Sequence, residues 1–216
     1  MNDNGTKPAR SLFTPGLWLI LVVLAGYGLF VLLPTVQRKL GIFDEGRWFL
    51  DSYAILASSD AVQAGLDPAQ LNPLDPLHRP HSYSGWWFVL GKLGLTRADN
   101  FLLGGSCVLA FLAVALAGLR PVTRREALGC AALVLSPPVL LAVIRANNDL
   151  VVFALVGAGL LLLRASAPWR LAVFGLAVVL ATGLKFYPLV ALGALLAARP
   201  TGRVMSVGVA AGLAGA

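Results

Sequence analysis

The chain has 216 residues, of which 58% are hydrophobic and only 12% are charged. Soluble proteins carry roughly 25% charged residues, so this composition excludes an ordinary soluble domain. The formal net charge of +7 does not indicate nucleic acid as a partner, because the cations lie in short clusters between long apolar runs. We therefore predict an all-α, polytopic membrane protein built as a bundle of transmembrane helices.

The N-terminal part contains a polar tail and the first predicted span. Residues 1–16 form the predicted cytoplasmic tail, and the uncharged run Leu17–Gln37 is long enough to cross the membrane as a helix. A secretory signal peptide is the alternative, but the run is longer than a typical h-region and lacks small residues at a cleavage site. The sequence favours an uncleaved first span.

A long polar loop, residues 38–99, separates this span from the next apolar run and holds most of the acids. Phe49–Gly65 has helical periodicity, which predicts an amphipathic helix lying on the membrane surface. Leu66–Pro80 contains four prolines and should be irregular. Tyr83–Leu95 is apolar but too short to span, which favours a re-entrant or interfacial helix with its tryptophans at headgroup level.

Further apolar runs follow the loop up to the last residue. One of them is broken near its middle by two prolines, Pro137 and Pro138, which should kink or split it. We expect residues 17–216 to form one transmembrane domain that is truncated at its C-terminus. The runs are Asn100–Leu119, Ala127–Ile144, Leu150–Leu163, Leu171–Leu184, Phe186–Ala198 and Val204–Ala216.

The distribution of lysine and arginine predicts the topology. With a cytoplasmic N-terminus and one crossing per run, the inner segments hold nine cations against two acids, and the outer segments hold eight of each. This agrees with the excess of positive charge found in cytoplasmic loops. The long loop, Arg145–Asp149 and Lys185 then share the non-cytoplasmic side. Because the spans on either side of residues 164–170 are short, Asp149 and Lys185 should lie in a protein-lined cavity below the outer surface.

Two loop acids are candidates for a general base. Asp44 and Asp51 follow the first span, and a carboxylate partly buried by aromatic neighbours can deprotonate a hydroxyl group. The alternative is an ordinary solvated loop with acids of no catalytic role.

The R-A-N-N-D stretch and a later lysine are candidates for substrate binding. Arg145 could bind a phosphate, while Asn147, Asn148 and Asp149 could supply sugar or metal contacts. The alternative for this stretch is an ion pair between residues four apart. Lys185 could neutralise a lipid phosphate, or it could simply extend to the membrane interface.

Three further side chains are included in the predicted site. Tyr187 lies near the candidate lysine, and Trp86 or its neighbour Trp87 could stack on a sugar, of which we select Trp86. His78 and His81 have no nearby Cys or His partner, so we predict no metal site there and expect His81 to help shape a pocket. A divalent metal remains open as a cofactor.

The chain resembles a known family in three stretches. They are D-S-Y-A-I…A-G-L-D-P (Asp51 to Pro68), R-A-N-N-D (Arg145 to Asp149) and L-K-F-Y-P (Leu184 to Pro188). These are similar to glycosyltransferase family 87, within the GT-C superfamily of membrane glycosyltransferases. The lysine-aromatic-proline motif is the most specific of the three. The resemblance implies a GT-C-like bundle with a long non-cytoplasmic first loop.

The resemblance also implies a reaction in the cell membrane. A hexose would pass from a polyprenyl-phosphate-sugar donor to a hydroxyl of a lipid-linked or cell-envelope glycan on the non-cytoplasmic face. The hexose is expected to be mannose, because the family contains polyprenyl-phosphate-mannose-dependent mannosyltransferases. The family position of the base matches Asp51, with Asp44 as the second choice, and Arg145 and Lys185 would bind the donor phosphate. Two rival functions are a transporter or lipid flippase, and a non-catalytic membrane subunit.

Overall fold

The computed structural model describes residues 14–42, 48–164, 167–185 and 187–188. These residues form nine α-helices and two short 3-10 helices, Gly85–Phe88 and Arg97–Asp99, and they include no β-strand. The α-helices in chain order are α1 (Pro15–Leu32), α2 (Pro34–Lys39), α3 (Leu50–Gln63), α4 (Val89–Lys92), α5 (Asn100–Gly118), α6 (Arg124–Val134), α7 (Pro137–Arg145), α8 (Asp149–Leu162) and α9 (Arg170–Leu184).

Two helical segments are long and apolar enough to cross a membrane. One is α1, with a mean hydropathy of 2.2, and the other is Arg97–Gly118, which includes α5 and has a mean hydropathy of 2.3. The helices α6 and α7 together form a third candidate, bent by 50° at the predicted proline break. The helices α8 and α9 are apolar but have only 14 and 15 residues. The described chain is therefore all-helical, with two or three candidate membrane spans.

The first span differs from the prediction because Pro34 interrupts it. The run Leu17–Gln37 was expected to be one helix, but α1 begins earlier, at Pro15, and ends before the proline. Proline has no N–H group, so the carbonyl of Phe30, four residues before it, has no partner in the helix. Nε2 of Gln37 donates a hydrogen bond to that carbonyl oxygen at 2.8 Å, which satisfies it without water.

The break between α6 and α7 is also caused by a proline, and it directs the end of α7 toward the loop. Pro138 cannot bond the carbonyl of Val134, and the Tyr27 hydroxyl from α1 donates to that oxygen at 3.2 Å instead. The bend turns the C-terminal end of α7, which carries Arg145, toward α3.

The structure confirms the predicted helix after Phe49 but contradicts its predicted position. Ten of the 14 residues of α3 are buried, whereas an amphipathic helix on a membrane surface would leave its polar face open. The helix packs against α4, α5, α7 and both 3-10 helices. The loop therefore folds into a layer over the ends of the long helices. The rest of the loop has the expected secondary structure, because residues 66–80 contain no helix and residues 85–92 are helical.

The apolar core lies between the predicted spans. Its largest cluster joins side chains of α1, α5, α6 and α7, including Val23, Phe111 and Ile144. A second cluster centres on Phe174 and packs α9 against α8. A Cβ atom at Gly159 of α8 would collide with Phe174, so this glycine allows the two short helices to approach closely.

Candidate active site

The N-terminus of α3 is held against the ends of α5 and α7. The backbone N–H of Phe49 donates to the carbonyl of Ile144, the penultimate residue of α7, at 2.7 Å. The Ser52 hydroxyl donates to Oδ1 of Asn100, the first residue of α5, at 2.6 Å. These contacts fix Asp51, which lies in the first turn of α3, beside the end of α7.

Asp51 is only 2% exposed, and both of its carboxylate oxygens accept hydrogen bonds. Arg145 donates from Nη2 to Oδ1 at 2.7 Å and from Nε to Oδ2 at 3.1 Å, a two-pronged geometry. Nδ2 of Asn147 donates to Oδ2 at 2.8 Å, and Nη1 of Arg79 lies 3.4 Å from Oδ1. We call these four side chains the buried cluster.

Arg79 is the member of the buried cluster that the sequence analysis missed. Its Nη2 donates to Oδ2 of Asp75 at 3.0 Å and to the carbonyl of Leu50 at 2.9 Å. Its Nε lies 3.2 Å from the same Asp75 oxygen, and Asp75 is itself 1% exposed. The only signal for this role was an acid and an arginine four residues apart in a proline-rich segment.

Asn147 connects the buried cluster to a second group of charges. Its Oδ1 accepts from the backbone N–H of Asp149, the first residue of α8, at 2.9 Å. Oδ1 of Asp149 accepts from Nζ of Lys185 and from the hydroxyl of Tyr187, each at 2.5 Å. The Asp149 side chain is 48% exposed, so we call these three side chains, Asp149, Lys185 and Tyr187, the open cluster.

The observed pairs contradict one of the simpler alternatives, the local ion pair between Arg145 and Asp149. Among the described residues, Arg145 forms its ion pair with Asp51 and not with Asp149, four residues on. The helix ends between them, because Ala146 adopts a left-handed conformation with φ of 45°. Lys185 is paired with Asp149.

Asn148 and Trp86 lie in contrasting surroundings. Asn148 is 1% exposed, and neither polar atom of its side chain has a hydrogen-bond partner among the described residues. An unsatisfied buried amide costs about 1–3 kcal/mol, which a water or a ligand hydroxyl would relieve. Trp86 is 52% exposed, and its ring covers Gly183, two residues before Lys185. The exposed part of the ring is open for stacking.

His81 belongs to the packing of the loop. Its ring lies 4.6 Å from the ring of Phe88 and 5.9 Å from that of Tyr83, between centroids. Its backbone N–H donates to the carbonyl of Pro68 at 2.7 Å. Burial lowers the pKa of His81, so the imidazole is neutral at neutral pH. The described structure shows no hydrogen bond or ion pair from His81 to either cluster.

The pKa values of two tyrosines near the site are raised, first by burial and then by a nearby carboxylate. Burial and then the Asp51 carboxylate raise the pKa of Tyr83, which Arg79 and Arg145 oppose. Tyr83 therefore lies within electrostatic reach of the buried cluster, a role that the sequence analysis did not assign. Desolvation and then the hydrogen bond to Asp149 raise the pKa of Tyr187, so its hydroxyl stays protonated and donates.

Two predictions concern features beyond these clusters. Asp44, the second candidate base, falls in residues 43–47, outside the described residues. Within the described part of the chain, no group of three or more His, Cys, Asp or Glu side chains could hold a metal ion.

A family model matches the C-terminal part of the chain. The family model described as glycosyltransferase family 87 matches residues 91–216, which is more than half of the chain. The matched region contains Arg145, Asn147 and the whole open cluster, whereas Asp51 and Arg79 precede it. No curated protein and no solved structure matches the chain.

Proposed function

This chain belongs to glycosyltransferase family 87, and from that membership we propose that it transfers a hexose from a polyprenyl-phosphate-sugar donor to a hydroxyl of a lipid-linked or cell-envelope glycan. We propose mannose as the hexose. Family membership and the apolar helices make the protein an integral membrane glycosyltransferase. The observation that supports the specific reaction is the connection of the buried and open clusters through the single side chain of Asn147.

The two clusters together offer what a displacement at an anomeric carbon requires. The Asp51 carboxylate can take the proton of the acceptor hydroxyl while the acceptor oxygen attacks the anomeric carbon. The bond from that carbon to the phosphate oxygen breaks, and the leaving polyprenyl phosphate carries the electron pair. Arg145 and Lys185 can bind the negative charge on that phosphate. A single displacement of this kind inverts the configuration at the anomeric carbon.

The remaining candidates line the proposed path of the sugar. Asn148 offers an amide without a partner, and Asp149 and Tyr187 offer a carboxylate and a hydroxyl. Trp86 presents an open ring next to Lys185 for the apolar face of a sugar. We propose His81 as a residue that shapes the loop around this path.

The proposed membrane arrangement is a GT-C-like polytopic bundle in the cell membrane. It has a cytoplasmic N-terminus and a non-cytoplasmic loop at residues 38–99. Support comes from the basic segments expected on the opposite side, which include Arg124 and Arg125 at the start of α6, Arg164 after α8 and Arg170 at the start of α9. This arrangement puts the buried and open clusters on the outer side, where a lipid-linked donor presents its phosphate.

The test is a transfer assay with the full chain reconstituted in lipid nanodiscs. Radiolabelled mannose is supplied either on polyprenyl phosphate or on a nucleotide, together with a membrane lipid extract as the source of acceptor. We expect labelled glycan from the lipid-linked donor alone. Transfer from the nucleotide sugar alone would contradict the donor class. Movement of the donor across vesicle membranes without any product would favour a transporter, and no activity of either kind would favour a non-catalytic subunit.

A further inference from the structure

The Asp51 carboxylate is fully occupied in this structure. Oδ1 accepts from Arg145 and faces Arg79, and Oδ2 accepts from Arg145 and Asn147. A carboxylate offers about four acceptor positions, so these contacts occupy the lone pairs that a proton would need. Asp51 must therefore lose a donor before it can accept a proton from a substrate hydroxyl.

The two arginines around Asp51 are held in different ways. Arg79 is bound to the buried Asp75 and to the carbonyl of Leu50, so its position does not depend on the Asp51 carboxylate. Arg145 is the last residue of α7, its side chain is 34% exposed, and its guanidinium presents both Nε and Nη2 to Asp51. The Nε and Nη2 edge of Arg145, which now binds Asp51, is therefore the edge that an incoming anion could occupy.

A phosphate group competes directly with a carboxylate for such a face. Guanidinium groups bind both anions through the same pair of parallel N–H donors. We propose, on the basis of the proposed function, that the donor phosphate replaces the Asp51 carboxylate as the partner of Arg145. Arg79 then keeps the released carboxylate in place as a positioning residue. Asp51 thus occupies the guanidinium of Arg145 until the donor binds.

The exchange decides which oxygen becomes the base. When Nε of Arg145 leaves, Oδ2 keeps only the hydrogen bond from Asn147, while Oδ1 still faces Arg79. Oδ2 then takes the proton as the acceptor O–H bond breaks and the new bond from oxygen to the anomeric carbon forms. The bond from that carbon to the phosphate breaks, and the electron pair stays on the phosphate at Arg145. The base is available only after the donor has bound, which predicts ordered binding.

The exchange is tested first by binding, without any chemistry. The probe is decaprenyl monophosphate, which carries no sugar, added to the full chain in nanodiscs. Asp51→Asn removes the competing charge, so we expect its Kd to fall about tenfold below that of the wild type, as loss of one charge-assisted hydrogen bond would allow. Arg145→Gln should raise Kd by a similar factor. The matched control is Asp60→Asn, which disrupts a part-buried ion pair with Arg97 outside both clusters and should leave Kd unchanged.

The role of Arg79 is tested by steady-state kinetics. We expect Arg79→Gln to lower kcat about a hundredfold, with the donor KM within about threefold of wild type, and Arg79→Lys to recover part of kcat. Arg145→Gln should instead raise the donor KM. Arg97→Gln is the control arginine, and melting temperatures confirm that each variant is folded. The Lys variant and the binding assay decide the question if the Gln variant does not fold.

Failure of this inference differs from failure of the proposed function. An unchanged or weaker affinity of Asp51→Asn, a wild type that does not bind the probe, or a rise in donor KM for Arg79→Gln at constant kcat would each overturn the exchange, even if the wild type transfers sugar normally. A wild type that binds the probe with the predicted pattern but transfers no sugar would instead overturn the proposed reaction.

Discussion

The carboxylate of Asp51 lies 2.7 Å from Nη2 of Arg145, although the two residues are 94 positions apart in the chain. This ion pair joins the first turn of α3, in the polar loop, to the last residue of α7. Both ends are also fixed through the backbone, because Phe49 donates to the carbonyl of Ile144. The loop and the helical frame therefore form one site, and its two halves can be tested separately.

The open cluster should control donor affinity. Lys185→Gln removes the ammonium group that pairs with Asp149 and that we propose as a phosphate ligand. We expect the donor KM to rise about tenfold, because a charge-assisted hydrogen bond contributes roughly 1.5–3 kcal/mol, with a smaller change in kcat. The measurement is initial rate against donor concentration. Lys92→Gln, at the exposed end of α4, is the matched control, and an equal effect there would show that only general charge matters.

Stability should depend on pH through His81. Burial lowers its pKa below the ordinary value, so the unfolded chain binds more protons than the folded chain at acidic pH. Stability from this group is present above about pH 6.5 and is lost as pH falls through the lowered pKa. We expect the melting temperature of the wild type to fall more between pH 7.5 and 5.5 than that of His81→Asn.

The control for this prediction is the neighbouring His78, which is exposed. His78→Asn should keep the pH dependence of the wild type. If His81→Asn loses as much melting temperature as the wild type over this interval, the imidazole of His81 is not the group responsible.

The contact between Trp86 and α9 should depend on the missing side chain at Gly183. A Cβ atom there would overlap the Trp86 ring, so Gly183→Ala should destabilise the fold by about 1–3 kcal/mol. Gly175→Ala, in the same helix, meets nothing within 4 Å and serves as the control. Thermal unfolding followed by tryptophan fluorescence measures both variants.

A second variant tests whether Trp86 causes that cost. In the Trp86→Phe background, the smaller ring should reduce the penalty of Gly183→Ala, as expected for two residues in direct contact. Equal penalties in the two backgrounds would mean that the alanine acts elsewhere.

Much of the helical frame could be predicted because lipid imposes simple rules. Uncharged runs and paired prolines located α5 and the break between α6 and α7. The first span was predicted too long because Pro34 was treated as part of one continuous apolar run. For α3, periodicity predicted the helix, but an alanine-rich pattern does not reveal whether a second layer of protein covers the polar face, so its burial was missed.

Chemistry and spacing selected several site residues, but they could not pair them. Arg145 and Asp149 suggested a local ion pair, yet each has a partner from a distant part of the chain. Such pairing depends on how the loop packs against α7 and α9, which no local pattern encodes. Arg79 was missed for the same reason, since a loop arginine resembles a solvated charge until its contact with the buried Asp75 is known.

The most direct test of the account is sugar transfer by Asp51→Asn, measured with labelled polyprenyl-phosphate mannose beside wild type, Asp60→Asn and Asp44→Asn. We predict that Asp51→Asn lowers the transfer rate at least about a hundredfold, since it removes the base, while it still binds decaprenyl monophosphate and Asp60→Asn stays near the wild-type rate. A wild-type rate for Asp51→Asn would contradict the account, and loss of transfer in Asp44→Asn at the same time would identify Asp44 as the base.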